Sequence, residues 1–420
     1  MEPNSILLVV LIFLAAAGLI AVLIWQRHIV VKIIAGVVAL AFATFGGMAL
    51  VNDYYGYYQT WGQLGADLTG SYSQFTSAAI GSRTEGALYG KVISLQFPGR
   101  QSGINRPGYV YLPPQYFQKQ YARTRFPVVE LLHGSPSYAA SWLVHLHVDQ
   151  LANQLISKHV MGPMVLVMPQ TYSGNTYEEC LNSTRGLDDT YLTDDIRHDV
   201  EGRFRVSTDP AQWGLVGVSS GGYCAANLAL RHRPMFGASG IMSGYFRPQD
   251  GPAAQILGDN PAAEADNDPL LLARKLTIDS SPLPAFWLSA GTGAGADIAG
   301  ARAFAAALHG VERVTLYREP GGEHNFYAFE PAFERVLPWT WTQLGPPDLR
   351  VRFPVAGGVT QRRVSVAPTA RVPSDARSYM PPGSGRTTAG SGARSGATAP
   401  RDRKTAPANV PSRPTHTRSP

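Results

Sequence analysis

Ile6–Trp25 is a run of 20 residues without a single charge, ILLVVLIFLAAAGLIAVLIW, and it leaves this part of the chain few places to go. At 1.5 Å of rise per residue, a helix of that length crosses a hydrocarbon core of about 30 Å. A second uncharged run, Ile33–Val51, follows after only seven residues. A cleaved signal peptide has a shorter apolar stretch, basic residues in front and a small-residue cleavage site. Here the N-terminus is MEPNS, with no basic side chain, and Trp25 closes the first run. Residues 1–51 therefore read as two transmembrane helices, 6–25 and 33–51, in a tight hairpin. The loop Gln26–Lys32 carries Arg27 and Lys32, whereas the N-terminal stub carries Glu2. The positive-inside tendency puts that loop in the cytoplasm and everything after Val51 outside the cell membrane. The stretch NDYYGYYQTW supplies Tyr54, Tyr55, Tyr57, Tyr58 and Trp61 for an interfacial aromatic belt.

The formal charge of +6 suggests a nucleic-acid partner only until it is mapped. Residues 346–420 hold 13 Lys and Arg against three Asp, so residues 1–345 carry a net −4. A mildly acidic body argues against nucleic acid as a partner. The tail is Pro, Ser, Thr, Ala, Gly and Arg with almost no aromatics, a composition that cannot offset chain entropy, and it is expected to be disordered. It reads either as a polycationic arm for acidic cell-wall polymers or lipid headgroups, or as a solubilising spacer. Two cysteines exclude a disulfide-dense scaffold and a thiolate zinc cluster.

Between a juxtamembrane linker, 52–88, and the tail lies a body of residues 89–345. Apolar or β-branched runs recur in it at Lys91–Phe97, Tyr109–Leu112, Pro127–Leu132, Met164–Met168, Trp213–Val218, Ala238–Met242, Phe286–Ala290 and Val314–Tyr317. Several, such as VVELL, MVLVM and GLVGV, are nearly continuous, as central parallel strands covered on both faces require. Helical stretches alternate with them at Ser141–Ser157, Thr193–Phe204, Ser220–Arg233, Ile298–Leu308 and Tyr327–Thr340. The pattern predicts an α/β domain with a mostly parallel sheet.

Gly217-Val218-Ser219-Ser220-Gly221 is the only G-x-S-x-G in the chain. It sits between a buried-strand run and the amphipathic helix YCAANLALRHRP, the strand–turn–helix setting that a nucleophile elbow needs. Ser219 is the expected nucleophile. His324, in EPGGEHNFYAF after the last strand, is the expected general base, with Gly321 and Gly322 letting its loop approach. Asp297, the first acid after the strand FWLSA, is the expected partner for the imidazole, placed in a long GTGAGA loop. Glu323 is the poorer choice because adjacent side chains diverge. The oxyanion hole is expected from the N–H of Ser220 and that of Ser135, with Gly134 as the alternative to Ser135. His133, His145 and His147 lack carboxylate spacing for a metal site, and neither metal nor cofactor is expected.

The segments LLHGSPSYAASW, TYLTDDI, GVSSGGYCAANLALRHRPMFGA and GGEHNFYAF resemble the putative-esterase family of α/β-hydrolases, over roughly residues 89–341. That family contains esterase D (S-formylglutathione hydrolase), feruloyl esterases and secreted mycolyltransferases. The resemblance implies an α/β-hydrolase fold, Ser219 as nucleophile, His324 as base, an acid in the Asp297 loop and oxyanion donors at Ser135 and Ser220. The chain departs from the family pattern at Phe329, where members often carry Trp. In this fold the loop bearing Cys180 and the helix bearing Cys224 meet at the C-terminal edge of the sheet, so the two could be bridged; two reduced thiols are the alternative. Asp250–Ser281 is long enough to cap the site. The expected protein is a membrane-anchored, extracytoplasmic serine esterase or acyltransferase acting on an ester of a lipid, wall or small-molecule substrate. The alternative is a non-catalytic cell-surface binding protein that keeps the fold.

Overall fold

The computed structural model describes residues 1–72, 88–172, 179–250, 253–258, 260–276, 283–308, 311 and 313–347. The basic tail beyond Pro347 lies outside the described residues, as do parts of the 52–88 and 171–190 segments.

Two helices open the chain, α1 (Ile6–Trp25) and α2 (Ile29–Tyr55), each long and apolar enough to cross a membrane. The second is longer at both ends than the uncharged run 33–51. Charge ends an apolar run but does not end a helix, so Lys32 and Asp53 are both helical. The connection shrinks to Gln26–His28, and Gly56 stops α2 with a left-handed backbone at φ 66°. Within the expected linker, residues 52–72 are structured. They contain α3 (Trp61–Thr69), whose start is a capping box: Thr60 accepts from the Gln63 N–H, and the Gln63 side chain accepts from the Thr60 N–H.

The body is one eight-stranded sheet: β1 (Lys91–Pro98), β2 (Asn105–Leu112), β3 (Val128–Leu132), β4 (Val165–Pro169), β5 (Trp213–Val218), β6 (Ala238–Met242), β7 (Ala285–Gly291) and β8 (Val314–Glu319). Their spatial order is β1-β2-β4-β3-β5-β6-β7-β8. The pairs β1–β2 and β2–β4 are antiparallel and the rest are parallel. Every residue of β3, β4, β5, β6 and β7 is buried, as their nearly continuous apolar runs require, and Glu130, Ser239 and Ser289 are buried with them.

Helices cover both faces. On one lie α4 (Val148–Ser157) and the long C-terminal helix α8 (Phe326–Leu344), packed on Val129, Leu131, Val216 and Met242. On the other lie α5 (Ile196–Arg203), α6 (Ser220–Arg231) and α7 (Gly295–Ala307), packed on Val128, Leu132, Leu215 and Ile241. The single helix expected over Ser141–Ser157 is two, because His147 takes a left-handed backbone (φ 43°) between a turn at Ser141–Val144 and α4. The alternation of faces along β3, β5 and β6 thus gives a three-layer α/β fold whose crossovers bring the strand C-terminal ends, and the loops that follow them, to one edge.

Candidate active site

Three of those loops converge. At the end of β5 the chain turns sharply into α6, and Ser219 sits at the turn with φ 56° and ψ −119°, a conformation a side-chain-bearing residue seldom adopts. The turn closes only because its neighbours lack side chains: a methyl on Gly217 would overlap the Gly221 carbonyl, and one on Gly221 would overlap the Leu132 carbonyl. The Ser219 N–H donates to the Met242 carbonyl at 2.9 Å, which ties the turn to β6.

The loops after β7 and β8 are laced to each other. Thr292 N–H donates to the Glu319 carbonyl (2.9 Å), Gly293 N–H to the Gly322 carbonyl (2.8 Å), and Gly321 N–H to the Thr292 hydroxyl (2.7 Å). This lacing sets Asp297 against His324. Asp297 lies in the first turn of α7, not in a loop, because the helix begins at Gly295 and buries Ile298, Ala301 and Phe304. His324 Nδ1 is 2.6 Å from Asp297 Oδ2, and His324 Nε2 is 3.0 Å from Ser219 Oγ. With Nδ1–H donated to the carboxylate, Nε2 presents its lone pair to the serine hydroxyl. Phe329 meets the imidazole edge-on, with centroids 5.2 Å apart and planes at 88°.

Ser219 and His324 open into a cavity of about 400 Å³, which Ser135 also lines. Ser220 is the first residue of α6, so its N–H has no carbonyl within the helix to receive it. Ser135 is aimed by a device the sequence did not disclose. The Gly134 carbonyl oxygen receives His133 Nδ1–H at 2.9 Å and lies 3.0 Å from the Tyr172 hydroxyl. Across a trans peptide the next N–H points the opposite way, so holding that carbonyl turns the Ser135 N–H away from His133 and Tyr172. Tyr172 Oη also accepts from the Ser137 N–H (2.8 Å), which ties down the far side of the turn. The Ser135 hydroxyl is buried and has no partner among the described residues. Gly134, the alternative donor, packs directly on Ser219: a Cβ there would stand 3.2 Å from the serine's own.

His133 is held in one tautomer. Its Nε2 must accept, because the Thr171 N–H donates to it at 3.1 Å, while Nδ1–H is committed to Gly134. Burial pushes its pKa down to about 4. His145 is buried beside Asp67 (3.8 Å) and Phe326, and burial lowers its pKa as well. His147 approaches the Gln63 amide at 3.4 Å. Among the described residues, no cluster of His, Cys, Asp and Glu forms a metal-binding group.

Cys180 and Cys224 are joined in a disulfide, with Cα atoms 5.5 Å apart, tying the segment after β4 to α6. The described residues of Asp250–Ser281 pack beside α6, where Asn267 receives the Tyr223 hydroxyl and meets Asn227, and none of them lines the cavity. The cover comes from the other end of the chain, from Tyr55 and Tyr57. The T-x-x-Q of Thr60 and Gln63 was the one local signal that this stretch is structured.

A strained serine at a strand–helix elbow, with an aspartate and a histidine delivered from beyond the ends of β7 and β8, is the arrangement that serine hydrolases use on an α/β-hydrolase fold. The family described as "Putative esterase" matches residues 101–340, and the chain belongs to that family. The chain is 28% identical over 212 residues to an uncharacterized protein of Corynebacterium glutamicum, covering 49% of each. It is 25% identical over 165 residues to an endo-1,4-β-xylanase/feruloyl esterase of Xylanibacter ruminicola, covering 39% of this chain and 23% of that one. The matches thus span half or less of these curated relatives. A solved ferulic acid esterase superposes with a TM-score of 0.54 at 20% identity, over 61% of this chain and all of the other.

Proposed function

We propose that the protein is a membrane-anchored, extracytoplasmic serine esterase or acyltransferase working through an acyl-enzyme on Ser219. The observation that carries this reading is the chain of contacts from Ser219 Oγ to His324 Nε2 at 3.0 Å and from His324 Nδ1 to Asp297 Oδ2 at 2.6 Å. Ser219 Oγ attacks the ester carbonyl carbon as its proton passes to His324 Nε2. The negative charge that develops on the carbonyl oxygen is received by the N–H groups of Ser135 and Ser220. The C–O bond to the alcohol then breaks, and the departing oxygen takes the proton from His324. A water or an acceptor hydroxyl, deprotonated by the same nitrogen, attacks the acyl-serine and frees the enzyme. Asp297 keeps the imidazole in register and stabilises it while it is charged.

Hydrolysis and transfer share the first half of this cycle and differ in the acceptor. Following the acyl group of a model ester with and without a sugar acceptor separates them. Two features support anchoring with the body outside: the Arg27 and Lys32 charges at the hairpin turn, and the contacts of both hairpin ends with the body. The Asn4 amide reaches the Tyr327 hydroxyl at 3.4 Å, and the Asn325 amide donates to the Tyr54 carbonyl at 3.1 Å. The test is labelling with a fluorophosphonate: wild type in intact cells should be labelled, and Ser219→Ala should not. Equal labelling of the two would overturn the assignment of the nucleophile.

A further inference from the structure

The active-site cavity and the membrane hairpin share residues. Tyr55, the last residue of α2, and Tyr57, two residues on, both line the cavity that holds Ser219 and His324. The segment between them is fixed to the histidine loop. The Asn325 amide donates to the Tyr54 carbonyl at 3.1 Å, and Asn325 directly follows His324. Gly56 lies on the ring of Tyr327 so closely that a Cβ would stand 2.9 Å from it. Tyr57 packs edge-on against Phe326, with centroids 5.2 Å apart. Downstream, the Gln63 amide donates to the Val144 carbonyl at 2.7 Å.

A helix that crosses a bilayer and ends at Tyr55 leaves Tyr55 at the headgroup level, and with it the wall of the cavity. Tyr54, Trp61 and Tyr327 remain exposed around that exit, the amphipathic rings suited to this depth. Inside, Trp142, Leu146, Val218, Phe326 and Phe329 make most of the cavity's exposed surface apolar, although Ser137, Ser141 and Asn325 also line it. An apolar chamber whose cover is the exit of a membrane helix fits an ester that arrives along the membrane surface, not through bulk water.

We propose that the exit segment of the hairpin, residues 54–63, is the cover of the catalytic cavity, and that the substrate is an ester of an amphiphile held in the same bilayer. This rests on the serine esterase reading and on the anchoring above. Tyr57 acts as a positioning residue, through Phe326 and the cavity wall.

The full chain is reconstituted into phosphatidylcholine vesicles and floated through a density gradient; a chain that fails to float overturns the anchoring and the inference with it. Release of methylumbelliferone is then measured from its palmitoyl ester placed either in the enzyme's own vesicles or in separate ones, with water-soluble p-nitrophenyl butyrate alongside. The expected result is at least a tenfold faster release in shared vesicles, with a rate that follows the surface mole fraction of the ester. Tyr57→Ala should lower the ratio of palmitoyl to butyryl turnover about tenfold, and Tyr57→Phe should restore it. Equal rates in shared and separate vesicles, with Ser219-dependent turnover of p-nitrophenyl butyrate, overturn the inference and leave the esterase reading standing. Absence of Ser219-dependent turnover of every ester overturns the esterase reading itself.

Discussion

The cavity has a floor and a cover, and they are held by different means. The floor comes from strand ends: Ser219 after β5, Asp297 after β7 and His324 after β8. Adjacent parallel strands fix these points through ladders of main-chain hydrogen bonds, and the loops beyond are laced by further main-chain bonds. The cover comes from residues 54–63 and is held by a few side chains reaching across the chain: Asn325 to Tyr54, Gln63 to Val144, Tyr57 to Phe326. A ladder makes position nearly independent of any one side chain, whereas side-chain ties make it depend on those side chains. The floor should therefore be rigid and sensitive in its chemistry, and the cover soft and sensitive in its access.

The largest effects belong to the floor. Ser219→Ala and His324→Ala should each lower kcat by about 10⁶, and the double variant little more, since each alone already removes the unit. Background turnover of about 10³ over water should persist from the oxyanion donors and binding. Steady-state rates with a short-chain p-nitrophenyl ester measure this. A Ser219→Ala enzyme within tenfold of wild type would break the floor's role altogether. Asp297→Asn should cost about 10⁴, by setting the wrong tautomer on His324. Glu323→Gln, beside the histidine in sequence but outside the chain of contacts, should stay within a few-fold. The reverse ranking would move the acid from α7 to the histidine loop.

The same difference governs what could be read in advance. β5 and β6 begin and end where their apolar runs do, and Ser219 was legible because strand, turn and helix announce it within ten residues. Asp297 was legible as a residue but not as part of a helix. Gly293 and Gly295 disguise the start of α7, which forms because Ile298, Ala301 and Phe304 find the core. The cover was not legible. Its ties join residues 81 and 271 positions apart, and no periodicity encodes such a meeting. His133 and Tyr172 escaped for the same reason, since their common target is a main-chain carbonyl.

The Cys180–Cys224 bond braces the floor at α6. Closing a loop of this size removes chain entropy from the unfolded state and stabilises by about 4 kcal/mol. Cys180→Ser with Cys224→Ser should unfold at lower denaturant by that order, with kcat for a short ester changed far less than by any floor variant. Two thiols alkylated in the native, unreduced protein would show that no such brace exists.

His133 gives the floor a dependence on pH. Its folded pKa of about 4 lies below the ordinary 6.5, so the unfolded chain binds the proton more readily. The contribution is full above pH 6.5, falls as pH drops through 6.5 and is spent below 4, on the order of 3 kcal/mol in all. Protonation at Nε2 would set an N–H against the Thr171 N–H that now donates to it, loosening the turn that aims Ser135. Denaturant midpoints between pH 7 and 4 should drop more steeply for wild type than for His133→Asn. An imidazole resonance titrating near 6.5 in the native protein would remove this account.

Gln63 is the smallest test and the most direct one for the cover. Its side chain is buried and serves two ends at once: Oε1 accepts from the N–H groups of Gln59 (2.6 Å) and Thr60 (2.9 Å), and Nε2–H donates to the Val144 carbonyl. Gln63→Ala leaves those groups to find water, a loss of about 1–3 kcal/mol. Because the cover is held by so few ties, that loss should fall on it locally. Amides 57–66 should exchange faster while those of α6 keep their protection, and KM for a long-chain ester should rise more than kcat falls. Gln63→Glu separates the helix cap from the tie to the body. It keeps both acceptors for Gln59 and Thr60 but sets an oxygen against the Val144 carbonyl oxygen, so it should loosen the cover more than Gln63→Ala does. If Gln63→Glu is the milder change, the cap of α3 alone holds the segment, and the contrast between a laddered floor and a tethered cover fails at this tie.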